Sequence, residues 1–131
     1  MKLLGFEGHE ITSMSCDVIS DQELQDILKN EQSLKKEENV LIQEEVNVKL
    51  TKNLNKTLII GDVVIIDIEG YRRITLTIVG EFIFDKENEE DSQVVSDSVF
   101  EDFWPMLRKY IPPAVSTLTS ITNRGELEIT L

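Results

Sequence analysis

Apolar and polar positions alternate along most of the first two-thirds of the chain, the period expected of strands with one covered face. Residues 3–18 carry Leu4, Phe6, Met14, Cys16 and Val18 at even positions. Gly8 and the polar stretch from Glu10 to Thr12 interrupt that set, so a bulge or register change is expected near Gly8. A second strand over 40–52 sets Val40, Ile42, Val46, Val48 and Leu50 against Asn47, Lys49 and Thr51. The third, 57–68, is apolar on both faces, with Leu58, Ile59, Ile60, Val63, Val64, Ile65, Ile66 and Ile68. Such a strand needs cover on both sides. A fourth, 72–85, puts Ile74, Leu76, Ile78, Phe82 and Phe84 on one face, and Gly80 in its middle suggests a bend.

The breaks between these runs have their own chemistry. Ser20-Asp21-Gln22-Glu23 places a hydroxyl three residues before a glutamate, the capping-box start of a short helix with Leu24, Ile27 and Leu28 on one side. Residues 30–39 read as a charged connector. Asn53-Leu54-Asn55-Lys56 and Glu69-Gly70-Tyr71 read as turns. The acidic run from Asp85 to Asp91 lacks the central glycine and closing glutamate of an EF-hand loop, so it reads as a solvated loop.

Helical periodicity takes over after that loop. Phe100, Phe103, Trp104, Leu107 and Ile111 share one stripe of a helix expected over about 95–111, with Pro105 inside it. An interior proline costs a helix about 3 kcal/mol, so Pro105 suits a helix start or a bend. Pro112-Pro113 forces a break or kink, and a second helix over 114–122 carries Val115, Leu118 and Ile121. Gly125 supplies a left-handed cap, and a short alternating tail follows. The order predicts an α+β domain over residues 1–131: a four-stranded antiparallel sheet with two C-terminal helices packed on one face.

Composition narrows the function. The 131 residues hold 13 Lys and Arg against 25 Asp and Glu, a net charge of −12. Such a field repels phosphate backbones and anionic headgroups, which argues against nucleic acid or a membrane surface as partner, and it favours basic partners. Cys16 is the one cysteine, which fits a reducing compartment, and the N-terminus reaches Glu7 after four apolar positions, unlike a signal peptide. No apolar run approaches the ~20 residues of a transmembrane helix. A soluble cytoplasmic protein is expected.

Catalytic patterns are sparse. His9 is the one histidine and lies on a glycine-flanked strand. There is no GxSxG elbow and no glycine-rich phosphate loop, Cys16 has no metal-ligand spacing partner, and Glu44-Glu45 point to opposite faces of one strand. No enzyme and no cofactor are expected.

The run Phe103-Trp104-Pro105-Met106-Leu107-Arg108-Lys109-Tyr110-Ile111 resembles the aromatic-aromatic-Pro-aromatic-x-Arg-x-x-Ile signature that opens the long helix of the SecB family of export chaperones. The segment from Phe6 through Gly8 to Met14, Cys16 and Val18 resembles that family's first strand. Leu76-Thr77-Ile78-Val79-Gly80-Glu81-Phe82-Ile83-Phe84 resembles its apolar strand with a central glycine and following aromatics. The resemblance implies an ATP-independent holdase that binds unfolded polypeptides, preproteins for export among them, and assembles as a homotetramer, a dimer of dimers. It offers Phe6, Phe82, Phe84, Trp104, Met106, Tyr110 and Leu118 as client-binding candidates. Each of these also reads as ordinary core, and for Phe82, Trp104 and Leu118 core is the better reading. Asp17 matches one of the acidic residues with which family members dock the translocase motor SecA. Arg73 and Thr75 stand where further acids belong, and the chain reaches Leu131 without the family's last helix, so SecA is the weaker of the implied partners. Some SecB-like proteins serve toxin–antitoxin systems, which makes a dedicated antitoxin chaperone the alternative. From a different class, an adaptor holding one folded partner on its outer sheet face also fits. A small-ligand site between sheet and helices lacks a convergent polar set.

Overall fold

The computed structural model describes residues 2–30, 35–37, 39–51, 55–85, 95 and 97–131. The turn residues 53–54 and the acidic loop residues 86–91 lie outside these. Five strands form one sheet: β1 (Lys2–Val18), β2 (Lys35–Glu37), β3 (Val40–Leu50), β4 (Lys56–Asp67) and β5 (Arg72–Asp85), in the order β1-β5-β4-β3-β2. Helix α1 (Asp21–Lys29) follows β1. After the sheet come a π-helical turn, Val99–Phe103, then α2 (Trp104–Arg108) and α3 (Ile111–Ser120). The four long strands form the expected antiparallel sheet with helices after it. The fifth, β2, falls in the stretch read as a charged connector. It pairs antiparallel with the start of β3, Lys35 opposite Ile42 and Glu37 opposite Val40.

Contacts gather into two units, and the four long strands contribute residues to both. The first holds residues 1–12, 45–62 and 77–109. Its core is aromatic. Phe82 and Phe84 alternate with half-buried neighbours on β5, as a strand with one sealed face must. Phe103 meets both rings edge-on, at 6.0 and 5.1 Å between centroids. Trp104 and Leu107 of α2 pack into this unit where the sheet has no side chain. A β-carbon on Gly61 would fall within the indole of Trp104, and one on Gly80 within the isobutyl group of Leu107. Gly80 therefore makes room for a helix side chain.

The second unit holds residues 13–44, 63–76 and 110–131. Here α1 begins as expected: Ser20 Oγ accepts the N–H of Glu23 at 3.1 Å, which satisfies one of the helix's otherwise orphaned donors. Leu24 seals against Ile19, Leu41 and Ile66, with Ile27, Leu28, Val64 and Ile68 packed around them. Val64, Ile66 and Ile68 share one face of β4, so the chain's own α1 covers part of the second apolar face of that strand. Within this unit that cover is internal.

The other face of the second unit holds a buried ion pair. Arg72 Nε donates to Asp67 Oδ2 at 2.8 Å, and Arg72 Nη1 donates to Thr122 Oγ1 at 2.9 Å. Asp67 Oδ1 accepts the N–H of Gly70, and Arg124 Nη1 donates to the Gly70 carbonyl at 2.8 Å. The turn at 67–72 is thus bound to the chain that leaves α3. Its left-handed residue is Tyr71, with φ of 51°, rather than the neighbouring glycine.

The helices differ from expectation in register. The expected helix over 95–111 contains the π-helical turn, which inserts an extra residue per turn and advances the phase of the apolar stripe. Val99 is buried in consequence, and Phe100, placed on the stripe by its spacing, is 51% exposed. Pro105 sits in the first turn of α2. Pro112 and Pro113 likewise lie in the first turn of α3, where the N–H they lack has no intrahelical partner to lose. The second helix therefore starts at Ile111, ahead of the two prolines.

Candidate functional site

A surface that holds unfolded chain needs apolar side chains left partly open, since burial of a client's apolar area supplies most of the binding energy. In the first unit the open positions surround the aromatic core. Phe6 of β1 is half-buried and lies against Phe82, with centroids 4.9 Å apart at 36°. His9 stacks beside it at 6.5 Å. Met106 on α2 is also half-buried, and Leu4 and Phe100 are exposed. Phe82, Phe84 and Trp104 are fully buried, so they back this surface without presenting area of their own.

β1 stands at the end of the strand order, with β5 on one side. The other edge carries backbone donors and acceptors to which an extended segment could add as a further strand. Apolar side chains at Leu4 and Phe6 lie along that strand. A shallow recess of about 380 Å³ is lined by Gly8, His9, Thr12, Leu58, Val79 and Glu81. Gly8 has φ of +150°, a conformation closed to most other residues, at the point where the alternation of β1 fails.

Of the candidates in the second unit, Tyr110 and Leu118 are half-buried and Asp17 is exposed. A recess of about 330 Å³ lies among Cys16, Val18, Arg72, Thr122 and Arg124. The sequence candidates are therefore distributed over both units: Phe6, Phe82, Phe84, Trp104 and Met106 in one, Asp17, Tyr110 and Leu118 in the other. Leu4, Val18, Tyr71, Phe100 and Ile121 are exposed apolar residues outside the candidate set. For Phe100 the misleading signal is its helical spacing, since one π-helical turn suffices to bring it outward. Among the described residues, no group of three His, Cys, Asp or Glu could hold a metal ion, and no helix is long and apolar enough to cross a membrane.

No family model and no curated protein matches this sequence. The backbone does match solved structures, among them the Mycobacterium tuberculosis SecB-like chaperone Rv1957, in complex with a ChAD peptide from the Rv1956 HigA1 antitoxin. The TM-score is 0.67 over 99% of this chain and 90% of that one, at 11% sequence identity. The fold is that of the SecB-like chaperones. At this identity the correspondence fixes backbone, and the open apolar residues above are this chain's own.

Proposed function

We infer that this chain is an ATP-independent chaperone that holds unfolded polypeptides. The observation that carries the reading is the SecB-like backbone along nearly the whole chain. The half-open residues Phe6 and Met106, backed by a sealed aromatic core, supply the apolar area such a holdase needs. Phe6, Met106, Tyr110 and Leu118 contact the client directly, and Phe82, Phe84 and Trp104 hold the backing surface rigid. Methionine suits varied partners because its unbranched, polarisable side chain adapts to their shape. The net charge of −12 favours clients carrying Lys and Arg and keeps the loaded complex soluble. The chain acts in the cytoplasm as a homotetramer, on preproteins among other clients, without catalysis.

A second reading is a dedicated antitoxin chaperone, favoured by the antitoxin peptide in the Rv1957 complex. Aggregation kinetics separate the two. A chemically unfolded preprotein is diluted with and without this protein at equal subunit ratio, with no nucleotide present. Suppressed light scattering with several unrelated clients supports a general holdase. Unchanged scattering with all of them removes that reading and leaves the dedicated chaperone or a folded-partner adaptor.

A further inference from the structure

Beyond α3 the chain turns at Gly125, with φ of +83°, and residues 126–131 then run as an extended tail that belongs to no strand. Leu127, Ile129 and Leu131 are half-buried, whereas Glu126, Glu128 and Thr130 are exposed. The tail therefore lies with one apolar edge against the second unit, as a docked extended peptide would. Leu127 donates its backbone N–H to Thr119 Oγ1 at 2.7 Å. That hydroxyl is fully buried on α3 and donates in turn to the Val115 carbonyl at 2.7 Å. The Glu126 carboxylate accepts from Ser116 Oγ.

Two aspects of this docking bear on what else could occupy the place. The bond to Thr119 is made by a main-chain N–H, which every residue except proline carries, so it selects an extended backbone and no particular side chain. The fit is also incomplete. A cavity of about 160 Å³ remains between Leu127 and Ile129 on one side and Val40 and Asn39 on the other. Glu128 and Glu69 line the same cavity with like charge. A segment with apolar residues at alternate positions and Lys or Arg between them would keep the apolar edge and the bond to Thr119. It would also bring a cation to a cavity that carboxylates line.

We propose that residues 126–131 are a built-in placeholder for client: the tail occupies a binding surface on α3 and beside Val40, and an extended apolar–basic segment displaces it. The choice of an unfolded polypeptide as occupant rests on the holdase reading, whereas the existence of a peptide-accepting surface under the tail does not. The tail competes with every client, so its stability on the surface sets the threshold a client must exceed.

The test uses three full-length proteins: wild type, L127S/I129S and E128K. The first probe is a short fluorescein-labelled peptide alternating valine and lysine; the second is a labelled peptide with the sequence of residues 124–131. Loosening the tail in L127S/I129S should tighten binding of the valine–lysine peptide by about tenfold. E128K, which gives the tail its own cation at this cavity, should weaken it. The tail peptide should bind L127S/I129S and not wild type. Urea midpoints of the three proteins control for folding. Equal affinity of the valine–lysine peptide for all three proteins overturns the proposal, as does failure of the tail peptide to bind L127S/I129S. Should the tail peptide bind L127S/I129S while wild type leaves client aggregation unchanged, the surface stands and the holdase reading falls.

Discussion

The indole of Trp104 occupies the space that a β-carbon on Gly61 would need. At position 61 a helix side chain reaches the backbone of β4, and Trp104 is the largest fully buried side chain described. The pair is a single contact written at two places 43 residues apart (104 − 61). Gly61→Ala must therefore move either the strand or the indole. Overpacking of this kind costs about 1–3 kcal/mol. The urea midpoint should fall accordingly, and G61A/W104L should be less destabilised than the sum of its single changes. A double-mutant cycle with strictly additive values would show that the two residues do not share this space.

Asp67 and Arg72 make a second paired test, in the other unit. Removing one partner strands a buried charge, so Asp67→Ala should cost about 3–5 kcal/mol. Replacing both, as D67L/R72M, should recover much of that loss, because the desolvation penalty disappears with the charges. Thermal unfolding of the two variants decides the point. A double variant no more stable than Asp67→Ala would mean that Thr122 and Gly70, the other partners of these side chains, dominate.

Ser20→Ala removes the side-chain acceptor at the start of α1 and should destabilise by about 0.5–2 kcal/mol. The effect should be local. Hydrogen exchange of the Glu23 amide should accelerate, with exchange in β4 little changed. Leu24→Ala on the same helix opens the seal over Ile66 and should cost about 2–5 kcal/mol. If Ser20→Ala leaves the Glu23 amide as protected as before, the cap contributes nothing to this helix.

Met106 is half-buried on α2, so charge there is tolerated by the fold better than in the core. Met106→Asp should shift the thermal midpoint little and weaken capture of an unfolded client by about tenfold, about 1.4 kcal/mol. Undiminished capture would remove Met106 from the client-binding surface.

Much of this architecture can be read from residue order. Alternation, broken in β1 near Gly8, locates β1, β3 and β5 to within two residues, because a half-buried strand has no other way to segregate its side chains. An apolar run on both faces locates β4. Ser20 and Glu23 mark the start of α1 through a hydrogen bond whose two partners are sequence neighbours. What escapes is set by contacts between distant residues or by small changes of phase. β2 escapes because Lys35 and Lys36 look like connector, although they pair antiparallel with β3. Phe100 escapes because one π-helical turn rotates it out of its stripe. The role of Gly61 is invisible without Trp104 beside it. Client candidates chosen for aromatic character fall on both sides of the same divide. Phe6 stays half-open at the sheet margin, and Phe82 is sealed three positions before the exposed Asp85.

The strand order has a consequence for how the chain is born. β1 ends at Val18, and the strand it pairs with in the described sheet, β5, begins at Arg72. During synthesis an apolar N-terminal strand must wait, unpaired, while more than fifty residues emerge. Arg72 then waits again for Thr122, fifty positions on. Closures of that span are entropically expensive and slow folding relative to hairpin-built sheets of the same size. A protein whose proposed work is to shelter unfinished chains is thus, for the interval between its first strand and its last helix, an unfinished chain of the same description.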